Sequence, residues 1–139
     1  MKETQEKNKK NMSNIRLNYE YVYNDYSDGD WKFHTLDYAY ILGVRYDDIN
    51  GRQLLVNTAK ELLAQSKTTV TELTETFGTS KYFKVGTGKG ENFRGAYYIE
   101  EYDMFITTSY GIDVIVKFIE KLLECAKVAD NQVKVSFKA

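Results

Sequence analysis

The strongest periodic pattern in this 139-residue chain is an apolar one near its C-terminus. The pattern repeats every three or four residues, as on one face of an α-helix, at Ile115, Phe118, Ile119, Leu122 and Ala126. A helix with one apolar face must bury that face against another element. The sequence therefore predicts a long C-terminal amphipathic helix and a second layer of structure that covers it.

Alternating apolar and polar residues predict β-strands around this helix. Val133, Val135 and Phe137 alternate at the end of the chain, and "IRLNYEYVY" alternates near its beginning. The stretches "KYFKV" and "AYYIEE" also have the composition of strands. We find no repeat and no second domain, so we expect a disordered polar leader over residues 1–13 and a single α+β domain with a small antiparallel sheet over residues 14–139.

The stretch "TLDYAYILGVRYDDINGRQLLVNTAKELL" predicts a pair of helices. Thr35 is placed to cap a first helix of two turns, and Gly43 to end it in a left-handed conformation. Asp47 or Asp48 is placed to cap a second, longer helix. A short helix, a turn and a longer helix form the helix-turn-helix pattern, so we expect a winged-helix-like unit. Two packed helices with polar outer faces remain the structural alternative.

In a helix-turn-helix unit, the start of the second helix lies in the major groove of double-stranded DNA. Arginine can read guanine and glutamine can read adenine through paired hydrogen bonds. The polar side chains around this helix are therefore candidate DNA contacts: Arg45, Tyr46, Arg52, Gln53, Asn57 and Lys60.

The segment "KVGTGKGENFRG" has the glycine content of a phosphate-binding loop but not its sequence. Lys89 is followed by glycine instead of serine or threonine, Glu91 adds a negative charge, and the next residues have the pattern of a strand. We instead predict a flexible hairpin tip whose Lys84, Lys89 and Arg94 contact the phosphates of DNA. The alternative is a solvated loop whose charges only keep the chain soluble.

Charge and composition narrow the function further. The net charge is −1, but residues 31–95 carry nine Lys and Arg against seven Asp and Glu, so the basic excess is local. The single cysteine and single histidine exclude a disulfide within the chain and two-histidine metal sites, and we expect no cofactor. No nucleophile motif is present, so we predict that the protein is not an enzyme. No apolar run of membrane-spanning length and no signal peptide occur, which predicts no membrane partner and a cytoplasmic location.

Two phage protein families resemble parts of this chain. "AYILGVRYDDI" and "YYIEEYDMFITTSYG" are similar to two regions of the phage regulatory protein family Rha. "GDWKFHTLDYAYILG" resembles the start of the Bro-N domain of phage antirepressors. The resemblance covers about residues 30–120 and implies a phage or prophage regulator that binds double-stranded DNA or interferes with another regulator.

A second hypothesis comes from a different class of protein. Small size, near-neutral charge, twelve tyrosines and the lack of a catalytic set also suit a small phage-encoded inhibitor, such as an anti-CRISPR or another anti-defence factor. It would contact a host or phage protein through its tyrosines or its acidic C-terminal part. The C-terminal amphipathic helix could also join two copies in a homodimer.

Overall fold

A computed structural model describes residues 36–137 of the chain. Its elements are, in order, β1 (Leu36–Ile41), β2 (Val44–Asp47), α1 (Gly51–Ala64), α2 (Val70–Phe77), β3 (Val85–Thr87), β4 (Ala96–Ile99), β5 (Met104–Thr107), α3 (Ile112–Cys125) and β6 (Val133–Phe137). Short 3-10 turns precede β5 and β6. The fold is mixed α+β, as the sequence predicts. The predicted leader and the alternating N-terminal strand lie outside the described residues.

The first sheet contains three antiparallel strands in the order β2-β1-β6. Its middle strand pairs on one side with its neighbour in sequence and on the other with the C-terminal strand. Ala39 and Ile41 of β1 are buried, as are Val133 and Val135 opposite them. This face of the sheet therefore packs on the core, while the face that carries Tyr40 is exposed.

The predicted first helix is wrong, because residues 36–41 form strand β1. This stretch is short and contains two tyrosines and one isoleucine, which suit a strand that is buried on one face. A short apolar run fits a helix or a strand equally well by its periodicity, so its partners decide. Here β2 and β6 pair with it, and the helix-turn-helix unit predicted around it does not form.

A two-residue turn at Leu42 and Gly43 joins β1 to β2. Both residues have positive φ, 49° and 86°, as in the tight turns that suit the twist of a hairpin. Gly43 does adopt a left-handed conformation, as predicted, but it closes a hairpin instead of ending a helix.

The second sheet has the order β3-β5-β4, with both outer strands antiparallel to β5. Strands β3 and β4 therefore run parallel to each other and are not paired. Strand β3 lies within the glycine-rich segment, Lys84–Gly95, and residues 88–95 of that segment cross from one edge of this sheet to the other. The predicted hairpin between the two flanking strands is therefore wrong. A strand and not a helix follows the segment, which agrees with the prediction that it is not a phosphate-binding loop.

The crossing segment packs on one side chain of the central strand, Phe105. The ring of Phe93 stacks on Phe105, with 5.2 Å between centroids and 17° between planes. Gly90 passes so close that a Cβ atom there would lie 2.4 Å from Cγ of Phe105. Glycine at this position thus lets the backbone approach the ring, and the segment is a packed crossover instead of a free tip.

The helices and both sheets contribute residues to one hydrophobic core. Asn50 caps α1 in a capping box with Gln53, so neither Asp47 nor Asp48 is the cap. The C-terminal helix α3 forms as predicted and buries Ile115, Val116, Phe118, Ile119, Leu122 and Leu123. This apolar face packs within the chain's own core and is not free to join two copies. The lone Cys125 is half-buried and lies 3.4 Å from the hydroxyl of Thr76.

Substitution of Gly90 tests the packing of the crossover. Gly90 has φ of 63°, so Gly90→Ala adds backbone strain as well as a clash with Phe105. We expect a loss of about 2–4 kcal/mol in the free energy of unfolding, measured by urea denaturation. The matched control is Gly88→Ala, where φ is 81° but nothing lies within 4 Å of the added Cβ. We expect this control to lose only about 1 kcal/mol, and equal losses would contradict the packed crossover.

Candidate functional site

The structure holds Tyr46, a predicted DNA contact, against α1. Its half-buried hydroxyl donates a short hydrogen bond to the Glu61 carboxylate. Burial, and then this hydrogen bond to a carboxylate, raise the pKa of Tyr46 to about 12. The side chain therefore fastens the first sheet to α1 and is not available to a ligand.

Most of the other candidates on α1 are also engaged. Gln53 is used in the capping box at the start of the helix. Lys60 forms a 2.9 Å ion pair with Glu101, which lowers the pKa of that carboxyl group. Asn57 is half-buried, and only Arg52 is exposed without a hydrogen bond or ion pair to another described residue. The helix therefore offers one free cation and no row of base-reading side chains.

Arg45 is bound on the exposed face of the first sheet. Its guanidinium lies 3.9 Å from the ring centroid of Tyr38 and pairs with Asp47 at 2.9 Å. It also donates a 3.1 Å hydrogen bond to the hydroxyl of Tyr40. Arg45 lies in β2 of the first sheet and Arg52 in α1, whereas Lys84 and Arg94 lie next to strands of the second sheet. That these two sets converge on one surface, as the DNA-binding prediction needs, stays a prediction.

A different group of cations does converge. A groove of about 710 Å³ opens at one end of the second sheet. We call it the cationic groove, and it is lined by Thr79, Ser80, Lys81, Tyr82, Lys84, Phe93, Arg94, Thr107, Ser109 and Tyr110. Three of these residues are basic, and none of the described residues that line it is acidic. The groove is therefore suited to an anionic ligand.

The sheet order explains why distant residues meet here. Because β3 and β4 run parallel on either side of β5, both begin at the same end of the sheet, where β5 ends. Lys84 precedes β3, Arg94 nearly precedes β4, and Ser109 follows β5. The topology thus brings three separated segments to one place.

Lys84 is the fixed cation of the groove. Its ammonium donates a short hydrogen bond to the carbonyl of Gly78, at the C-terminal end of α2, where a positive charge is favoured. The same ammonium lies 4.8 Å from the ring centroid of Phe93. Lys84 is thus held in position from both sides of the groove.

Lys81 and Arg94 are the free cations of the groove. Both are exposed, and neither forms a hydrogen bond or ion pair with another of the residues 36–137. Their charges do not pair with carboxylates of the described residues and remain available to an external anion. Lys89, the remaining predicted phosphate contact, lies outside the groove, with its ammonium 5.8 Å from the ring centroid of Tyr98.

Aromatic rings line the same groove as these cations. Tyr82 is 57% exposed, and its ring is supported by Phe83 and Tyr110 at centroid distances of 4.8 and 5.3 Å. Phe83 in turn packs on the buried Phe118 at 4.7 Å. The hydroxyl of Tyr110 donates a short hydrogen bond to the carbonyl of Tyr82. The exposed ring therefore stands on a continuous stack that reaches the core.

Sequence reasoning found Lys84 and Arg94 but missed Lys81, Tyr82 and Tyr110. The stretch "KYFK" alternates cations and aromatic rings, and this was the available signal. The strand predicted over this stretch is wrong, because the strand begins only at Val85. The contribution of Tyr110 depends on the fold and carries no local signal.

The described part of the chain shows neither a metal-binding cluster nor a membrane-spanning helix. Residues 36–137 hold no cluster of three His, Cys, Asp or Glu side chains that could bind a metal ion. No helix among them has both the length and the apolar character that crossing a membrane requires.

Comparisons with known proteins leave the family open. No protein-family model matches the chain, and no curated protein or solved structure is significantly similar to it. The resemblance to the Rha and Bro-N families stays a prediction, and the site must be interpreted from its own chemistry.

The role of Tyr46 gives a pH-dependence that can be measured. Its pKa is about 12 in the folded chain and 10.0 in the reference state, so its contribution to stability is present below pH 10 and is lost as the pH rises through 12. We expect the free energy of unfolding to fall less steeply over this range in Tyr46→Phe than in the unaltered protein. The control is Tyr97→Phe, which alters an exposed tyrosine. Parallel curves for the protein and Tyr46→Phe would contradict this assignment.

Proposed function

We propose that the protein binds nucleic acid through the cationic groove. The observation that supports this most directly is the meeting of Lys81, Lys84 and Arg94 around exposed aromatic rings, with no acidic residue among the described lining residues. Cations attract the phosphates of a nucleic acid, and aromatic rings stack on its bases. A groove that offers both suits a nucleotide polymer better than it suits a simple anion.

The route to nucleic acid differs from a helix-turn-helix. The start of α1 contributes only Arg52 as a free cation, and Asp47 and Asp48 lie beside it. We therefore assign the main contact to the groove and none to α1. The resemblance of residues 30–120 to phage regulators leads us to propose, in addition, a regulatory role for this binding.

A second candidate function uses the exposed face of the first sheet. Arg45 lies between Tyr38 and Tyr40, beside a pocket of about 340 Å³. Tyrosine and arginine are enriched among the residues that dominate protein–protein binding energy. This face favours the alternative of a small inhibitor, such as an anti-CRISPR or another anti-defence factor, that acts by contact with a protein.

Removal of the two free cations tests the proposed function. We expect Lys81→Ala combined with Arg94→Ala to weaken binding to fluorescent single-stranded and duplex oligonucleotides by about tenfold at about 50 mM salt. Because two phosphate contacts are lost, the slope of log affinity against log salt should become less steep by about 1–2. Fluorescence anisotropy measures both quantities.

Two double variants serve as matched controls. Lys117→Ala with Lys121→Ala removes the same charge from the exposed side of α3 and should leave the affinity within about twofold. Arg45→Ala with Arg52→Ala removes two of the three cations of the helix-turn-helix prediction and should also have little effect. Absence of binding to every oligonucleotide, or an equal loss in all three double variants, would contradict the proposal.

The inhibitor alternative makes a separate prediction. A pull-down from host lysate with and without nuclease should lose its partners after nuclease treatment if nucleic acid mediates them. A partner that survives nuclease and is lost in Tyr40→Ala would instead support contact through the first sheet, because Tyr40 is exposed there.

A further inference from the structure

We infer that the cationic groove selects single-stranded nucleic acid, with an unpaired base stacked on the ring of Tyr82. This inference deepens the proposed function and rests on it. It commits to the strandedness of the ligand, which the cations alone do not determine, since phosphates are present on single strands and duplexes alike.

The ring of Tyr82 is exposed and packs on neighbouring aromatic rings. More than half of this side chain is exposed, yet its ring contacts Phe83 and Tyr110 instead of extending freely into solvent. A base that stacks on it would bury an apolar face without having to order a mobile side chain. The bases of a duplex are already stacked on one another, so only an unpaired base can offer its face to this ring.

Three cations line the same groove as the ring of Tyr82. Lys81 directly precedes Tyr82 in the chain, and Arg94 reaches the same groove from the glycine-rich segment. Cations that line the same groove as an aromatic ring can contact the backbone of a strand whose base is stacked on that ring. Lys84, held by Gly78 and Phe93, supplies a third charge at a fixed position.

The helices α1 and α2 offer few cations to a duplex. Recognition of a duplex generally uses a helix or a ribbon that enters the major groove. The nearest helix in sequence is α2, which has only eight residues, carries the exposed Glu72 and Glu75 and has no cation of its own. On α1, Lys60 is paired with Glu101. Helix α2 therefore offers no cation to duplex phosphates, and α1 offers only Arg52.

The test compares strandedness and the ring in one experiment. The full-length protein is titrated into fluorescent oligothymidylate, oligouridylate and a blunt duplex, each about twelve nucleotides or base pairs long. We expect at least one of the two single strands to bind about tenfold more tightly than the duplex at about 50 mM salt. The two single strands distinguish a DNA ligand from an RNA ligand.

Substitution of the ring then locates the stacking. We expect Tyr82→Ala to weaken single-strand binding by about tenfold and to change duplex binding by less than about twofold. Tyr82→Trp should retain single-strand binding because it keeps an aromatic face. Tyr110 bonds to the backbone carbonyl of Tyr82 and not to its side chain, so the alanine variant keeps that hydrogen bond. The control is Tyr97→Ala, which removes an exposed tyrosine of β4 that does not line the groove.

The outcomes separate this inference from the proposed function. Duplex binding that equals or exceeds single-strand binding, or an unchanged affinity in Tyr82→Ala, would overturn the preference for single strands while the groove still binds nucleic acid. No binding to any of the three oligonucleotides would overturn both. A comparable loss in Tyr82→Ala and Tyr97→Ala would also count against a stacking role for Tyr82.

Discussion

The aromatic cluster around Phe118 is the packing interaction on which both the core and the groove depend. Phe118 is fully buried on α3. The centroid of its ring lies 5.6 Å from that of Phe77 in α2 and 4.7 Å from that of Phe83. The ring of Phe83 in turn supports Tyr82 at the surface. Burial of large apolar side chains is the main favourable term in folding, and here the same burial holds the exposed ring of the groove in position. The candidate site is therefore an extension of the core and not a separate attachment to it.

The order of strands in the second sheet positions the cations of the groove, just as packing around Phe118 positions its aromatic rings. Because β5 lies between β3 and β4, the chain has to cross the sheet, and the crossing brings Arg94 to the end of the sheet at which Lys84 precedes β3. The crossing segment is stabilised by the stack of Phe93 on Phe105, with Gly90 allowing the close approach. Its glycines thus have a packing function instead of a phosphate-binding one, and its cation at Arg94 belongs to a groove that it builds only in part.

The candidate site was only partly visible in the sequence. The local excess of positive charge over residues 31–95 was visible, and Lys84 and Arg94 were predicted to contact phosphate. The sequence also predicted Tyr46 and Lys60 as DNA contacts, but the structure pairs them with Glu61 and Glu101, respectively. Whether a polar side chain is free depends on partners that are distant in the chain, and a single sequence does not show those partners. Tyr110 joined the site for the same reason, through contacts across 28 residues.

The sequence by itself determined the elements whose patterns are long or strongly periodic. It predicted α3 from its apolar repeat, β6 from its alternation, and a strand instead of a helix after the glycine-rich segment. Only the tertiary structure decided that residues 36–41 form a strand, because pairing with β6, more than ninety residues away, outweighs an ambiguous local pattern. It also decided which cations meet, since periodicity reports which face a residue occupies within its own element, whereas the order of strands in a sheet depends on contacts between elements.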